Sequence, residues 1–568
     1  MKSLSLFGLS VVVIAACAPG APTPPTPAPE PTPPPTVAVP PAVAETIAVG
    51  EAAPNWHLLD PSAGVYGIGT VRAERELLAG KQPGRTVTVA VIDGGIDTAH
   101  ADLRGNLWQN PRETAGNRRD DDSNGYVDDV RGWNFIGGRD GRSVHHDTYE
   151  VTRLYVACTR TSSGSAPSTL SPEEQRRCDE IEADFQAERN EAEQTLEQVK
   201  AVDSVLSRAV PLLRQALGSD SLTPEAVSAL RSPDPEVQRA RRIYLQLQAN
   251  GITPDEVAEA KEELEARVQY GLNPSYNSRG IVGDDTTNLA ERRYGNADVM
   301  GPDPLHGTHV SGIIGAIRGN DTGIEGIAHT VRIIMVRTVP DGDERDKDVA
   351  NAIRYAVDNG AQIINMSFGK AYSPHKRLVD EAVKYADARG VLMVHAAGND
   401  GENVDETPSF PTAVFEDGRR AQNWIEVGAS SWKGADSLVA PFSNYGRQRV
   451  DVFAPGVDIL STAPGGGYER QSGTSMAAPV VSGVAALLMA YYPDLTAADV
   501  KRIILESATR LPDRQVLRPN SEGLPGPAVP FGTLSATGGI VNAYEALRLA
   551  EQLSGGRGRD PQPVRPRR

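Results

Sequence analysis

The rhythm of hydrophobic and polar positions changes along this chain. Thr86 to Ile92 (Thr-Val-Thr-Val-Ala-Val-Ile) is an apolar run short enough for a buried strand, and it delivers Asp93 to that strand's carboxyl end. From about 148 to 280 Glu, Gln, Arg, Ala and Leu dominate, Gly becomes scarce, and apolar residues recur at helical spacing. Candidate helices run Pro172 to Leu217, Pro224 to Leu230, Pro235 to Gln248 and Pro254 to Tyr270. Each opens near a proline, whose missing N–H costs nothing in a first turn. Their short connections predict antiparallel packing. After His306, strands at Val331 to Val336, Gln362 to Met366, Val391 to Ala396 and Trp424 to Ala429 are interleaved with helices at Asp346 to Asp358 and Lys376 to Arg389. That alternation predicts an α/β fold, a doubly wound and mostly parallel sheet flanked by helices, carrying an all-α insertion. Ser475 to Tyr491 reads as an alanine-rich helix buried on most sides, and Ala497 to Ala508 as another.

The two ends are different in kind. Lys2 precedes the apolar run Leu4 to Ala16, too short to span a bilayer but suited to a signal peptide. The run ends Ile14-Ala15-Ala16-Cys17, which resembles the bacterial lipoprotein signal. That resemblance implies export, acylation of Cys17, and anchoring of the chain to a bacterial membrane, at the outer membrane or cell surface. Pro19 to Pro41 is almost uncharged Pro, Thr and Ala, a stalk that cannot bury a core. Gly555 to Arg568 is Gly, Arg and Pro, and is expected to be disordered. The expected division is thus a signal peptide (1–16), a lipidated Cys with its tether (17–54), a first part of the main domain (55–147), a helical insertion (148–280), a second part (281–550) and a disordered tail (551–568). The stretch from Cys17 to the first core strand is mostly tether, which leaves little room for a folded inhibitory propeptide. Asn55 to Lys81 is therefore expected to lead the mature domain.

A net charge of -17 argues against nucleic acid, because phosphate binding needs clustered Lys and Arg to displace counterions. If Cys17 is acylated, Cys158 and Cys178 are an even pair in an oxidising compartment. A disulfide and two free buried thiols both fit, since sequence does not give their separation in space.

Three segments place a chemically apt residue among glycines: Val91-Ile92-Asp93-Gly94-Gly95-Ile96-Asp97, His306-Gly307-Thr308-His309-Val310-Ser311-Gly312, and Ser472-Gly473-Thr474-Ser475-Met476-Ala477-Ala478-Pro479. A serine hydroxyl is a weak nucleophile. It needs a histidine to take its proton and a carboxylate to hold that imidazole in the right tautomer. The order acid, histidine, serine is that of subtilisin and differs from chymotrypsin and the α/β-hydrolases. The three segments resemble the motifs of the subtilases, the subtilisin-like serine peptidases, over about 55 to 147 and 280 to 550. The resemblance implies a serine endopeptidase acting on polypeptides through an acyl-enzyme, with Asp93 as orienting carboxylate, His306 as general base and Ser475 as nucleophile. No cofactor is expected for that chemistry, and a monomer is expected. His306 and His309 are three apart with no adjacent Glu, which argues against a metalloprotease pair.

The same resemblance makes Asn399, in Ala396-Ala397-Gly398-Asn399, the candidate oxyanion donor, with the Ser475 backbone N–H as the second. It also implies that extended substrate pairs with Ser367-Phe368-Gly369 and that Ala396, Ala397 and Gly398 flank the pocket. Phe368 departs from the family's usual Leu, which leaves side-chain preference open.

Asp120-Asp121-Asp122-Ser123-Asn124-Gly125-Tyr126-Val127-Asp128-Asp129 is dense in oxygen ligands. Asp120, Asp122 and Asn124 alternate as in a calcium loop, and the Tyr126 carbonyl follows. Arg131 stands where a closing Glu belongs, so Asp128 or Asp129 must substitute. A solvated acidic turn is the alternative, and the frequency of structural calcium among subtilases favours the ion.

About 213 residues separate Asp93 from His306, far more than the family usually has. The insertion accounts for most of them, and is expected beside the active-site face, where it restricts access, recruits a partner or is a plain helical hairpin. The rival function is a catalytically silent surface binding protein on the same scaffold, against which the intact Asp93, His306, Ser475 and Asn399 speak. An esterase would need Gly-x-Ser-x-Gly, whereas Gly473-Thr474-Ser475-Met476-Ala477 ends in Ala.

Overall fold

The computed structural model describes residues 52–162, 170–521 and 526–557. The signal run, Cys17, most of the tether and 558–568 lie outside the described residues.

The strands are, in chain order, β1 (Val87–Asp93), β2 (Gly132–Asn134), β3 (Val331–Arg337), β4 (Ile363–Met366), β5 (Leu392–Ala396), β6 (Trp424–Ser430) and β7 (Val452–Pro455). A hairpin of β8 (Ile459–Ala463) and β9 (Gly467–Gln471) follows, then β10 (Thr509–Arg510), a ribbon of β11 (Gln515–Leu517) and β12 (Ala528–Pro530), and β13 (Gly539–Ile540). The main sheet runs β10-β13-β7-β6-β5-β4-β1-β3-β2, parallel throughout except where β10 meets β13. Because β3 and β4 lie on opposite sides of β1, the winding reverses at β1, and a crevice is expected at the carboxyl ends of these strands.

Both sheet faces are buried, which is why the strands read as unbroken apolar runs. Along β1, Val87, Val89 and Val91 point to the core filled by the helix Thr474–Tyr491, while Ala90 and Ile92 point to the core under the helices Asp346–Asp358 and Lys376–Asp387. Thr474–Tyr491 is long and apolar enough to cross a membrane, yet 89% of it is buried inside the fold. Its composition reflects packing against β1, β4, β5, β6 and β7 on one side and other helices on the next. The leader belongs to this body as well: Trp56, Leu58, Ile68, Ala73 and Leu78 join the same core, and Trp56 Nε1 donates to the Val457 carbonyl at 3.1 Å.

The insertion is a helical arm. Its long helix, Pro172–Leu217, spans about 70 Å at 1.5 Å per residue. Pro224–Ala229, Pro235–Ala249 and Pro254–Ala266 return along it. Ala209 and Leu213 meet Val237, Ala240 and Tyr244; Val199 and Leu206 meet Val257 and Ala260; Phe185 and Ala192 meet Leu272 and Val268. Sequence rises on one side as it falls on the other, the antiparallel arrangement expected. Ser171, Thr223, Asp234 and Thr253 cap the four helices by accepting first-turn amides.

Three boundaries differ from the sequence reading. A further helix, Glu150–Ser162, begins the arm, and a disulfide joins its Cys158 to Cys178 of the long helix. The last arm helix ends at Ala266 and continues as one wider turn, Arg267–Gly271. The division at 550 falls inside the helix Ala543–Arg557, because Ala546, Leu547, Ala550 and Leu553 keep facing the core.

Candidate functional site

Asp93, Ser367 to Gly369 and Ala396 to Asn399 all follow from the carboxyl ends of adjacent strands β1, β4 and β5. The amino end of the Thr474–Tyr491 helix points at the same crevice. Asp93 is 1% exposed; its Oδ1 accepts from the Gly94 amide at 2.7 Å and lies 2.8 Å from His306 Nδ1. His306 enters on the first turn of the helix Leu305–Gly315. Glycine is required where that helix meets the Asp93 loop: a Cβ on Gly307 would lie 2.1 Å from the Gly95 carbonyl oxygen, and one on Gly95, at φ 151°, 2.1 Å from that of Met300. Arg337, at the end of β3, locks the turn by donating to the Gly94 carbonyl at 2.6 Å. Burial pushes its guanidinium down to about 10. Sequence reading missed Arg337, since a charge at a strand end usually meets water.

Ser475 is half-buried, and its hydroxyl donates to the Ser367 carbonyl at 3.1 Å, while the Ser367 hydroxyl donates to the Ser475 carbonyl at 2.9 Å. A buried chain extends this brace: Asn365 Nδ2 donates to Ser367 Oγ, and Ser482, two turns along the helix, donates to Asn365 Oδ1. Asn399 Oδ1 accepts from the amide and hydroxyl of Thr474 at 2.8 and 2.9 Å, which leaves its Nδ2 as the donor facing away from that contact. Among the helix's first amides, Thr474 is taken by Asn399 and Met476 and Ala477 by the Gly473 carbonyl. The Ser475 N–H has no acceptor among the described residues, as the start of a helix leaves it.

The Ala397 amide donates to Val427, its carbonyl accepts from Asn444 Nδ2, and the Gly398 amide donates to Thr474 Oγ1. Ala396 is buried beside them. Phe368 is half-buried, with its carbonyl accepting from His395 Nε2 at 2.8 Å. Gly369 backs onto Ser409 and Phe410.

His309 is turned away, buried against the carbonyls of Ile459 and Glu469 at 3.0 and 3.1 Å. Burial pushes its imidazole down to about 3, and that of buried His57 down to about 4. The unfolded chain takes up these protons near 6.5 and the folded chain does not, so stability falls as pH drops below 6.5 toward those values. Each histidine is expected to remove up to about 3 kcal/mol by pH 4. Urea midpoints measured from pH 7 downward check this: His309→Leu should give a shallower slope, and an unchanged slope refutes it.

The acidic loop is rearranged relative to expectation. Carboxylates of Asp120 and Asp122 gather with Glu113, which the sequence reading omitted. Asp128 instead caps the amides of Asn117 and Arg118, and Asp129 is bonded by Asn110, Asn124 and Tyr355. Neither joins the cluster, because the tight turn after Gly125 directs them to those partners. Asn124 gives its amide N to Asp120 and Asp122, and the Tyr126 ring packs on Trp133, Phe135 and Tyr355. Glu113 lay outside the run of alternating acids, so its place was visible only once the chain had folded back.

The arm's root abuts the crevice. Lys370, next to the Ser367–Gly369 segment, is 2% exposed and bonds Glu150 at 2.7 Å, Asp346 at 2.9 Å and the Glu344 carbonyl at 2.7 Å. Arg153 pairs with Glu150 at 2.7 Å, and Arg345 with Asp147 at 2.9 Å. Burial raises Glu150, but Arg153 and Lys370 more than offset it and bring the carboxyl down to about 2. Glu150 and Arg153 belong to the arm's first helix, and through Lys370 and the Asp343 and Glu344 carbonyls they fix the arm to the segments 341–346 and 367–370.

The subtilase family (peptidase S8) model matches residues 84–523. The chain is 46% identical over 184 residues to a thermophilic serine proteinase of Bacillus sp. strain AK1, covering 32% of this chain and 42% of that one, so it spans under half of that relative. It is 35% identical over 247 residues to subtilisin DY of Bacillus licheniformis, covering 43% of this chain and 83% of that one. Among solved structures, a protease of Pseudoalteromonas arctica PAMC 21717 is similar at 19% identity and TM-score 0.45, covering 87% and 96% of the two chains. With the family matched across most of its length, the chain belongs to the subtilases, the family of subtilisin-like serine peptidases.

Proposed function

We propose that this chain is an exported, membrane-anchored serine endopeptidase that cleaves polypeptides with Asp93, His306 and Ser475. The observation that carries the reading is the 2.8 Å contact between buried Asp93 and His306 Nδ1, with Ser475 at the amino end of a helix that packs against both β1 and the His306 helix. With Nδ1 donating to Asp93, Nε2 is the free base. The Ser475 hydroxyl turns from the Ser367 carbonyl to His306 and passes its proton to Nε2 as Oγ bonds the scissile carbonyl carbon. The oxygen that becomes negative takes the Asn399 Nδ2 and Ser475 N–H donors. His306 returns the proton to the leaving amine as the C–N bond breaks, and the acyl-enzyme is cleared by water through the same base. Casein hydrolysis and labelling by a serine-directed fluorophosphonate test the reading; absence of both in the wild type sinks it.

Export and anchoring through Cys17 rest on the signal-like run and its Ala-Ala-Cys end. A Cys158–Cys178 disulfide is consistent with an oxidising compartment. We also propose structural calcium at Glu113, Asp120 and Asp122. The fit rests on Glu113 Oε2, which is buried and without a hydrogen-bond partner among the described residues. Calcium would offset two of the three negative charges, beside the Arg112 that already pairs with Asp122, and tie the loop to Glu113, with no part in acyl transfer. At calcium 100-fold above its Kd it should stabilise the fold by about 2.7 kcal/mol. A calcium-dependent rise in Tm that Glu113→Gln removes is the expected result; equal Tm values with calcium and chelator refute the site.

A further inference from the structure

His395 lies in β5, one residue before the Ala396–Gly398 segment, and is fully buried. Its Nδ1 is 2.7 Å from Glu426 Oε1 on neighbouring β6, and its Nε2 is 2.8 Å from the Phe368 carbonyl oxygen. A backbone carbonyl is an acceptor only, and so is an ionised carboxylate. A neutral imidazole carries one N–H and satisfies one of these partners, whereas the imidazolium satisfies both. Glu426 is held in place by Trp424 Nε1, which donates to its other oxygen at 2.7 Å.

Building on the peptidase reading, we propose that His395 is a positioning residue for the substrate-pairing segment: clamped by Glu426, its imidazolium holds the Phe368 carbonyl and so sets Ser367 to Gly369 for peptide binding. The segment carries strict demands, because the Ser367 carbonyl also receives the Ser475 hydroxyl. Loss of the ring's second proton leaves the remaining N–H with the anionic Glu426, and the Phe368 carbonyl then faces a lone pair. Substrate affinity falls with that event.

The surroundings favour the charged ring. Burial alone would lower its proton affinity, but Glu426, the Phe368 carbonyl and nearby Glu344 more than offset this and place the ring above its ordinary value. Glu344, on the 341–346 segment, is itself raised by burial to about 7, so its charge grows as pH rises and moves the ring's deprotonation further up. Lys370, two residues past Phe368, is committed to Glu150 and Asp346. Asp451 bonds the Glu426 amide at 2.8 Å and pairs with Arg420 at 3.1 Å. The Phe368 ring meets the imidazole edge-on at 6.4 Å and the Trp424 ring lies at 5.3 Å, which seals the pair from water. For a group raised in this way, the charged form and its contact are complete below 6.5 and are lost as pH climbs through the raised value.

The test is kcat and KM for an extended chromogenic peptide from about pH 6 to about pH 10, spanning the range of a raised histidine. KM in the wild type should rise about five- to tenfold on the alkaline side, the size of one lost hydrogen bond, while kcat holds steady. In the double variant His395→Gln with Glu426→Gln, an untitratable amide donor faces Phe368, and the alkaline rise in KM should disappear. A variant that keeps the wild-type rise overturns the proposal. Two measurements on Ser475→Ala protein need neither turnover nor that variant. Imidazole ¹⁵N shifts should show both ring nitrogens protonated at about pH 7, and calorimetric Kd for an uncleaved peptide should weaken over the same alkaline range. A neutral ring, or a Kd flat with pH, refutes the clamp; a wild type inert at every pH refutes the peptidase reading alone.

Discussion

Ser475→Ala should abolish peptide hydrolysis, lowering kcat by about 10⁶-fold, the size measured in subtilisin itself and carried over from it. Its basis here is geometric. The Ser475 hydroxyl sits at the amino end of the helix, bonded to the Ser367 carbonyl, and on the proposed mechanism an alanine leaves His306 with no proton to take. The fold should be untouched, because the lost hydroxyl makes a single bond, to the Ser367 carbonyl, while the Ser367 hydroxyl continues to hold the Ser475 backbone. Equal urea midpoints with a collapsed kcat are therefore the expected pair of results. Residual hydrolysis within tenfold of the wild type would move the nucleophile elsewhere.

The second large effect is on stability. Lys370→Met should destabilise the fold by about 3–5 kcal/mol, since removing one partner strands buried charges that had been compensated. Glu150 keeps Arg153, but Asp346 loses its ion pair and the Glu344 carbonyl loses the shorter of its two donors and keeps Arg153 at 3.4 Å, all deep in the fold. Destabilisation should shrink as pH falls and the stranded carboxylates take up protons, the reverse of the wild type, whose depressed Glu150 contributes above its unfolded value near 4.5 and loses that contribution on acidification toward 2. Chemical denaturation at two pH values measures both quantities. A change under about 1 kcal/mol, the scale of exposed pairs, would mean the network is open to water.

Periodicity made most of the fold legible before any coordinates. The strands β1, β3, β4, β5 and β6 lie within two residues of where the apolar runs put them, since a strand buried on both faces has to be apolar throughout. What escaped was short or conditional. β7 spans four residues and ends at Pro455, and β2 spans three, too few for any period to register. Glu150–Ser162 mixes Arg, Thr and Tyr with its apolar residues, and its packing against Phe185 and Leu272 exists only after the arm folds back. At the candidate site, Asp93, His306, Ser475 and Asn399 stood out as candidates because each lies in a glycine-rich motif. Arg337 and His395 did not, since each takes its meaning from a partner on a different strand or loop, Gly94 and Phe368, and Glu113 did not, since only the turn of the loop brings it back to Asp120.

The root of the arm bears on how such a chain changes over evolutionary time. The Tyr149 amide donates to the Gly271 carbonyl at 2.9 Å, so the two ends of a very long detour already touch. Loop closure penalises length only slowly, about 0.6 kcal/mol per doubling, and a detour whose ends are pinned adds even less to bringing Asp93 and His306 together. Everything beyond the root can therefore be lengthened, exchanged or lost as a cassette. Glu150 and Arg153 are the exception: they lie past the joint in sequence but belong to the frame, and a lineage that discards the arm must keep them or rebuild the charge they balance.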